Sequence, residues 1–207
     1  MFYEPSKRNH GLPRDPFKSL VIPRPIGWIT SVDANGVVNL APYSYFNICS
    51  ADPPTIMFAP STRPDSSLLK DTHQNAERQG EFVVNIATLE LSEKMNLTSA
   101  DFESGVSELA KVGLSTIASE VVSVPRLRES PISMECRHLT TVTVPTRLAT
   151  HQKNFIVIGE VVGVHISDAV LTNGFIDIEK LKPVAKLGYL DYAVVDQRFS
   201  MPKPEVT

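Results

Sequence analysis

Cysteine, metal-binding motifs and closely spaced histidines are scarce in this sequence, and each shortage excludes a class of protein. The two cysteines, Cys49 and Cys136, stand far apart, and we interpret them as buried free thiols rather than as a bridge. The five histidines include no H-E-x-x-H motif or other tight metal-binding pair. We therefore expect no metal centre.

Long apolar runs and strong charge are also missing. No run approaches the roughly 18 apolar residues of a membrane-spanning helix. The first residues, MFYEPSKRNHGLP, lack the apolar segment of a signal peptide. With a formal net charge of -3, the protein lacks the excess of basic residues that favours binding to nucleic acid. We expect a cytoplasmic protein with neither a membrane nor a nucleic acid as a partner.

The common catalytic signatures are absent as well. The sequence contains no G-x-G-x-x-G or G-x-x-x-x-G-K-[ST] nucleotide loop and no G-x-S-x-G nucleophile motif. No pair of carboxylates stands out as an acid and base. If the protein is an enzyme, a bound cofactor is expected to supply the difficult chemistry.

The apolar segments that are present predict a mainly β fold. Pro25–Val32 and Val37–Ala41 form a predicted hairpin around the Asn35-Gly36 turn signal. The other predicted strands are Thr55–Ala59, Glu81–Ala87, Met134–Val144 and Phe155–Ile166, and the predicted helices run from Asp71 or Thr72 to Gln79 and over Ser92–Ala100. Strands with few helices indicate an antiparallel β-barrel with peripheral helices. We expect one domain over residues 1–207, with an N-terminal arm at 1–20 and a loose tail at 196–207.

One polar cluster suggests a phosphate site. It combines hydroxyls and cations with a predicted helix start: Ser61, Thr62, Arg63, Lys70, Asp71 and Thr72. A phosphate monoester carries nearly two negative charges and is stabilised by hydroxyls, cations and helix N-termini. The alternative is an ordinary exposed loop followed by a helix cap.

A second cluster suggests a site for a flat heterocycle. Aromatic rings alternate with hydroxyls and an amide in this set: Trp28, Thr30, Ser31, Ser44, Tyr45, Phe46 and Asn47. Such groups can stack on a ring and hydrogen-bond to its polar edge. The alternative is that strand alternation places the aromatic side chains in the core and the hydroxyls outside.

An ordered series of segments resembles the flavin reductase-like, FMN-binding split-barrel family. The series begins with RPIGWITSVDANGVVNLAPYSYFN, DPPTIMF and KDTHQNAERQGEFVVNI. It continues with MNLTSADFESGVSELAKVGL, MECRHL, FIVIGEVVGVHI and IDIEKLKPVAKLGYLDYAVV. The resemblance covers about Leu20 to Val195, and the order of the segments is more specific than any one of them.

The resemblance implies a six-stranded antiparallel Greek-key split barrel that forms a homodimer and binds FMN. It implies that Thr30 and Ser31 contact the ring or the ribityl chain, and that Ser44–Asn47 face the ring edge. The phosphate would be bound by Ser61, Arg63, Lys70 and Thr72. The Pro60–Leu69 loop matches the family least well.

The resemblance also implies an oxidoreductase that transfers a hydride from NAD(P)H to FMN and passes electrons on to a second acceptor. The alternative is an FMN-holding electron carrier, similar to flavoredoxin, that works with a redox partner protein and has no NAD(P)H site. A third possibility is a flavin-binding module with a regulatory role. His151 lies between two predicted strands and is a candidate for the substrate face of the flavin, or an ordinary loop residue.

Overall fold

Antiparallel strands make up most of the regular structure, as the sequence predicts. The structure, a computed structural model, describes residues 1–63, 67–100, 102, 107–146 and 152–204. The strands are β1 (Arg24–Pro25), β2 (Gly27–Val32), β3 (Val38–Tyr43), β4 (Phe46–Ala51), β5 (Pro54–Phe58), β6 (Glu81–Ile86), β7 (Thr116–Ile117), β8 (Arg126–Leu127), β9 (Ile132–Val144), β10 (Asn154–Ile166), β11 (Leu171–Thr172), β12 (Phe175–Ile176), β13 (Val184–Gly188) and β14 (Asp191–Val194). The α-helices are α1 (Asp71–Gln79), α2 (Ser92–Leu97), α3 (Glu108–Val112) and α4 (Ile178–Leu181).

Seven of these strands form one antiparallel sheet in the order β3-β2-β6-β9-β10-β5-β4. The two edge strands, β3 and β4, are joined only by Ser44 and Tyr45. Because this connection is so short, the sheet must curl until its edges approach each other. The expected antiparallel barrel is confirmed, with seven strands in the sheet instead of six. The sequence did not predict β4 as a strand, because its exposed run at 47–49 shows no alternation.

The inside of the curled sheet is an apolar core to which all seven strands contribute. Its buried or partly buried members are Ile29, Ala41, Tyr43, Phe46, Ile56, Phe58, Phe82, Val84, Met134, Cys136, Val157 and Val161. Helix α1 also contributes Ala76 and packs against β2, β3, β6 and β9. The predicted helix ends as expected at Gly80, which has a left-handed φ of 71°.

A second core lies on the other face of β2 and β3. Trp28 and Leu40 pack there against α2, α3 and β13, so successive residues of one strand serve two different cores. Both cysteines are free, as predicted, but only Cys136 is buried, because Cys49 lies on the edge strand β4. Within the described residues, no helix is long and apolar enough to cross a membrane.

Candidate functional site

Two adjoining cavities lie where β3 ends and α1 begins. Pro42, Tyr43 and Lys70 line both of them, so the two cavities adjoin at these residues, and we refer to the pair as the cleft. We call one the polar pocket; its main lining residues are Asn39, Tyr43, Arg63, Lys70, Thr72 and Glu108. We call the other the aromatic cleft; its main lining residues are Tyr43, Ser44, Tyr45, Ser61, Lys70 and Tyr189.

The polar pocket brings together most of the predicted phosphate cluster. Arg63 places Nη2 3.0 Å from Oδ1 of Asp71 and donates from Nη1 to the carbonyl of Phe102 at 3.0 Å. Lys70 brings a second cation to the wall, and the Thr72 hydroxyl is buried beside it. The pocket therefore brings two cations, a carboxylate and a buried hydroxyl to one place.

The first residues of helix α1 line this pocket. Lys70 occupies the N-cap position, and Asp71 is the first helical residue. Asp71 and Gln74 form no capping box, because the Asp71 carboxylate pairs with Arg63 and Gln74 donates to the carbonyl of Leu69 at 3.0 Å. An ammonium cannot accept hydrogen bonds from the first-turn N–H groups, so this helix end suits an anion.

A buried carboxylate closes the back of the polar pocket. Glu108 is 6% exposed and accepts the Leu40 N–H at Oε2 over 2.8 Å. The Asn39 amide lies between Glu108 and Thr72, with its nitrogen best placed 3.1 Å from Oε1 of Glu108 and its oxygen 2.8 Å from Oγ1 of Thr72. Burial raises the pKa of Glu108, the Leu40 N–H lowers it, and the nearby Asp71 charge raises it further.

The aromatic cleft is suited to a flat ring. It encloses about 740 Å³, including space open to solvent. Tyr43–Tyr45 form one wall, and the other side includes Ser61 and Tyr189. The Arg24 guanidinium lies 5.7 Å from the centre of the Tyr45 ring, which holds that ring at the cleft edge. Tyr43 is buried, and burial raises the pKa of its phenol, so the hydroxyl is neutral.

Three predicted ring contacts, Trp28, Thr30 and Ser31, are buried away from both cavities. The Trp28 indole N–H donates to Oγ1 of Thr98 at 2.8 Å. The Thr30 hydroxyl donates to the carbonyl of Pro125 at 2.7 Å. Ser31 accepts the amide N–H of Asn75 at 3.1 Å. Their polar side-chain atoms therefore serve the packing of β2.

The side chains of three other predicted contact residues also pack or form hydrogen bonds within the protein itself. Phe46 lies in the barrel core against Gly27, where an added Cβ would be 2.8 Å from the Phe46 ring. Asn47 is exposed and accepts the N–H of Ile48 at 2.8 Å. Thr62 is fully buried and accepts the N–H of Lys153 at 3.1 Å. The structure brings Ser44, Tyr45, Ser61, Arg63, Lys70, Asp71 and Thr72 to the cleft.

Sequence reasoning missed several residues that line the cleft. Arg24 and Tyr189 reach the aromatic cleft from the strand before β2 and from the turn between β13 and β14. Asn39 and Glu108 reach the polar pocket from β3 and α3. No local motif marks these residues, and only tertiary packing brings them together. His151 lies outside the described residues, and the described part of the chain contains no group of histidine, cysteine or acidic residues that could hold a metal ion.

Comparison with known proteins agrees with this architecture. A curated protein from Halalkalibacterium halodurans is 36% identical over 187 residues, which cover 90% of this chain and 88% of that protein. Nitrilotriacetate monooxygenase component B from Bacillus cereus has a similar structure, with a TM-score of 0.88 and 33% identity over 97% of this chain and 98% of that one.

A further solved structure, from Shewanella frigidimarina, has a split barrel domain. It gives a TM-score of 0.80 with 25% identity, over 99% of this chain and 100% of that one. The profile of the flavin reductase like domain matches residues 19–190. This match spans the curled sheet, the polar pocket and the aromatic cleft, and the chain therefore belongs to the flavin reductase like domain family.

Proposed function

We propose that this protein binds FMN with its ring in the aromatic cleft and its phosphate in the polar pocket. The observation that supports this best is the shared boundary of the two cavities at Tyr43 and Lys70. One end is aromatic and hydroxyl-bearing, and the other is cationic and adjoins a helix start. FMN has the same two-part chemistry, because it joins a flat ring to a phosphate.

The phosphate end is supported by charge. Lys70 and Arg63 supply cations, and the first turn of α1 supplies the positive end of a helix dipole. Asp71 offsets part of this charge through its pair with Arg63. Thr72 is the hydroxyl within the same wall. These groups distinguish a phosphate ester from the neutral ribityl chain of riboflavin.

We infer further that the protein is an NAD(P)H-dependent FMN oxidoreductase. Bound FMN supplies the redox chemistry, accepting electrons from a nicotinamide nucleotide and delivering them to a second acceptor. The described carboxylates of the cleft, Asp71 and Glu108, line the polar pocket and not the aromatic cleft. The residues of the aromatic cleft therefore bind and orient flat rings and exclude water, with no proton transfer required of a side chain.

We also propose that the protein is a homodimer whose second copy covers the aromatic cleft. Tyr45, in the connection between β3 and β4 that lines the cleft, is 42% exposed. Ile48, close by on β4, is 73% exposed. Leu20 and Val21, just before the cleft residue Arg24, are exposed apolar residues as well. A second copy would remove this surface from water. Analytical ultracentrifugation tests the proposal: a dimer is expected for the wild type and a monomer for Ile48→Asp, whereas a monomeric wild type contradicts it.

The oxidoreductase proposal is tested by anaerobic mixing. The protein loaded with FMN is combined with NADH or NADPH, and the visible absorbance of the oxidised flavin is followed. Bleaching by either nucleotide is the expected result. If FMN binds and dithionite bleaches it but neither nucleotide does, the protein is an electron carrier instead. If FMN does not bind at micromolar concentration, both functions are excluded.

A further inference from the structure

We propose that Glu108, Asn39 and Thr72 form a hydrogen-bond relay in which protonation of Glu108 turns the Thr72 hydroxyl toward the phosphate of FMN. The inference rests on the proposed FMN function. It adds that the protonation state of Glu108 controls how tightly FMN is retained. It assigns Glu108 a role in discriminating FMN from riboflavin that acts through Asn39 and Thr72.

The relay is built from three contacting side chains on three elements. Asn39 on β3 has one end of its amide beside Oε1 of Glu108 on α3 and the other end 2.8 Å from Oγ1 of Thr72 on α1. All three side chains are less than one-tenth exposed. Water is therefore largely excluded, and the other polar groups beside the relay are the Leu40 N–H at Glu108 and the Tyr43 hydroxyl at Thr72.

An ionised Glu108 fixes one direction of hydrogen bonding. The carboxylate accepts at both oxygens, from the Leu40 N–H at Oε2 and from the Asn39 nitrogen at Oε1, 3.1 Å away. The Asn39 oxygen then accepts the Thr72 hydroxyl proton. Since a hydroxyl has a single proton, Thr72 has none left to donate to a phosphate.

A protonated Glu108 reverses every role, and the only heavy atoms that must move are the oxygen and nitrogen of the Asn39 amide, which exchange places. Its O–H donates to the Asn39 oxygen after the amide has turned over, and the Asn39 nitrogen donates to Oγ1 of Thr72 at 2.8 Å. The Thr72 hydroxyl proton is then available to a phosphate oxygen. The proton on Glu108 comes from solvent, and no other covalent bond changes.

Charge acts in the same direction as the relay. The charged or titratable groups that face Glu108 are Asp71, Arg63 and the neutral Tyr43 phenol, and Lys70 lines the same pocket. An ionised Glu108 would add a second carboxylate to a pocket that must accept a phosphate dianion. Burial already favours the protonated form of Glu108, which raises its pKa.

Glu108→Gln tests the relay, because glutamine is neutral and its amide N–H can donate to Asn39 as the protonated acid does. Dissociation constants for FMN and riboflavin are measured by flavin fluorescence. At about pH 8 the variant is expected to bind FMN about tenfold more tightly than the wild type, about the contribution of one hydrogen bond to a charged group. At about pH 5.5 the difference in FMN affinity should be smaller, because acid favours the protonated, neutral form of the wild-type Glu108. Riboflavin binding should be the same for both proteins at both pH values.

The comparison cancels the titration of FMN itself, whose phosphate has its second pKa near about 6, because both proteins bind the same ligand. Equal FMN affinities at high pH, or an equal gain for riboflavin, would overturn the proposal. The exposed Glu93→Gln is the matched control, with wild-type affinities expected. In a Thr72→Val background the gain from Glu108→Gln should fall well below tenfold, whereas a full gain there would show direct charge repulsion without a relay.

If Glu108→Gln does not fold, calorimetry of the wild type in two buffers of different ionisation enthalpy replaces it. At about pH 8, where the phosphate of free FMN is already a dianion, FMN binding should take up protons and riboflavin binding should not; no uptake would overturn the relay. The two proposals fail differently. If neither flavin binds, the proposed function fails, whereas FMN binding without the pH-dependent difference refutes the relay alone.

Discussion

A buried carboxylate on β9 allows a quantitative prediction about stability. Glu135 is fully buried, and its Oε1 accepts the Glu120 N–H at 2.8 Å. Its Oε2 accepts the N–H groups of Val121 and Val122 at 2.6 and 3.0 Å. The His165 ring nitrogen Nε2 lies 2.5 Å from Oε1. Burial alone would raise the pKa of Glu135, but these hydrogen bonds outweigh it and lower the pKa to about 2.

The magnitude follows from proton linkage. Lowering a carboxyl pKa from 4.5 to about 2 corresponds to about 3 kcal/mol of folding free energy. A lowered pKa stabilises the fold at every pH above the unfolded value. The contribution is therefore complete above about pH 4.5 and is lost as the pH falls toward about 2.

Glu135→Gln removes this contribution. The glutamine amide keeps one acceptor oxygen but directs its own N–H groups at backbone N–H groups, so we expect a loss of about 3 kcal/mol at pH 7. The difference from the wild type should shrink as the pH falls from about 4.5 toward 2, because the variant has no carboxyl to protonate. Urea unfolding followed by the fluorescence of the single tryptophan, Trp28, measures both effects.

The exposed Glu90→Gln is the control, with a change within about 0.5 kcal/mol. A loss at Glu135→Gln that stays constant from neutral to acidic pH would show that the carboxylate charge contributes nothing. A loss below about 0.5 kcal/mol would show that the four hydrogen bonds are offset by the cost of burial.

Three further substitutions test the proposed cofactor site and the packing of the cores separately. Lys70→Ala should weaken FMN by about tenfold or more in a fluorescence titration; an equal loss for riboflavin would show that Lys70 does not bind the phosphate. Gly159→Ala places a Cβ 2.5 Å from the Phe82 ring and should cost about 1–3 kcal/mol in thermal unfolding, so an unchanged melting temperature would contradict the packing. Trp28→Phe removes the hydrogen bond to Thr98 and should cost about 1 kcal/mol while FMN affinity stays unchanged, and a large loss of FMN affinity would place Trp28 at the site.

Local signals in the sequence predict the hairpin at β2 and β3 well. Gly36 has a left-handed φ of 82°, which a glycine adopts without strain. The Asp33 carboxylate accepts the N–H groups of Asn35 and Val37, both at 2.8 Å, so the turn is closed by its own residues. Everything that fixes this turn lies within a few residues, and sequence reasoning can therefore identify it.

The role of Trp28, Thr30 and Ser31 depends on distant segments. Strand alternation places Trp28 and Thr30 on one face of β2 and Ser31 on the other, but it does not reveal what covers each face. Their partners, Thr98, Pro125 and Asn75, come from three separate parts of the chain. A hydroxyl or indole pattern that suggests a ligand is therefore equally compatible with a polar contact between a strand and a covering layer.

The cleft could be predicted in part because its two ends are encoded locally. The connection Ser44-Tyr45 must be short and turned, since it joins the two edges of a curled sheet, and Lys70 must stand at a helix start because α1 follows it directly. Glu108 has no such local constraint. It reaches the polar pocket only because α3 packs on β3 and the Leu40 N–H holds its carboxylate there. Residues that line the cleft from short local segments can thus be predicted from the sequence, whereas a residue such as Glu108, which tertiary packing brings there, is found only when the fold is known.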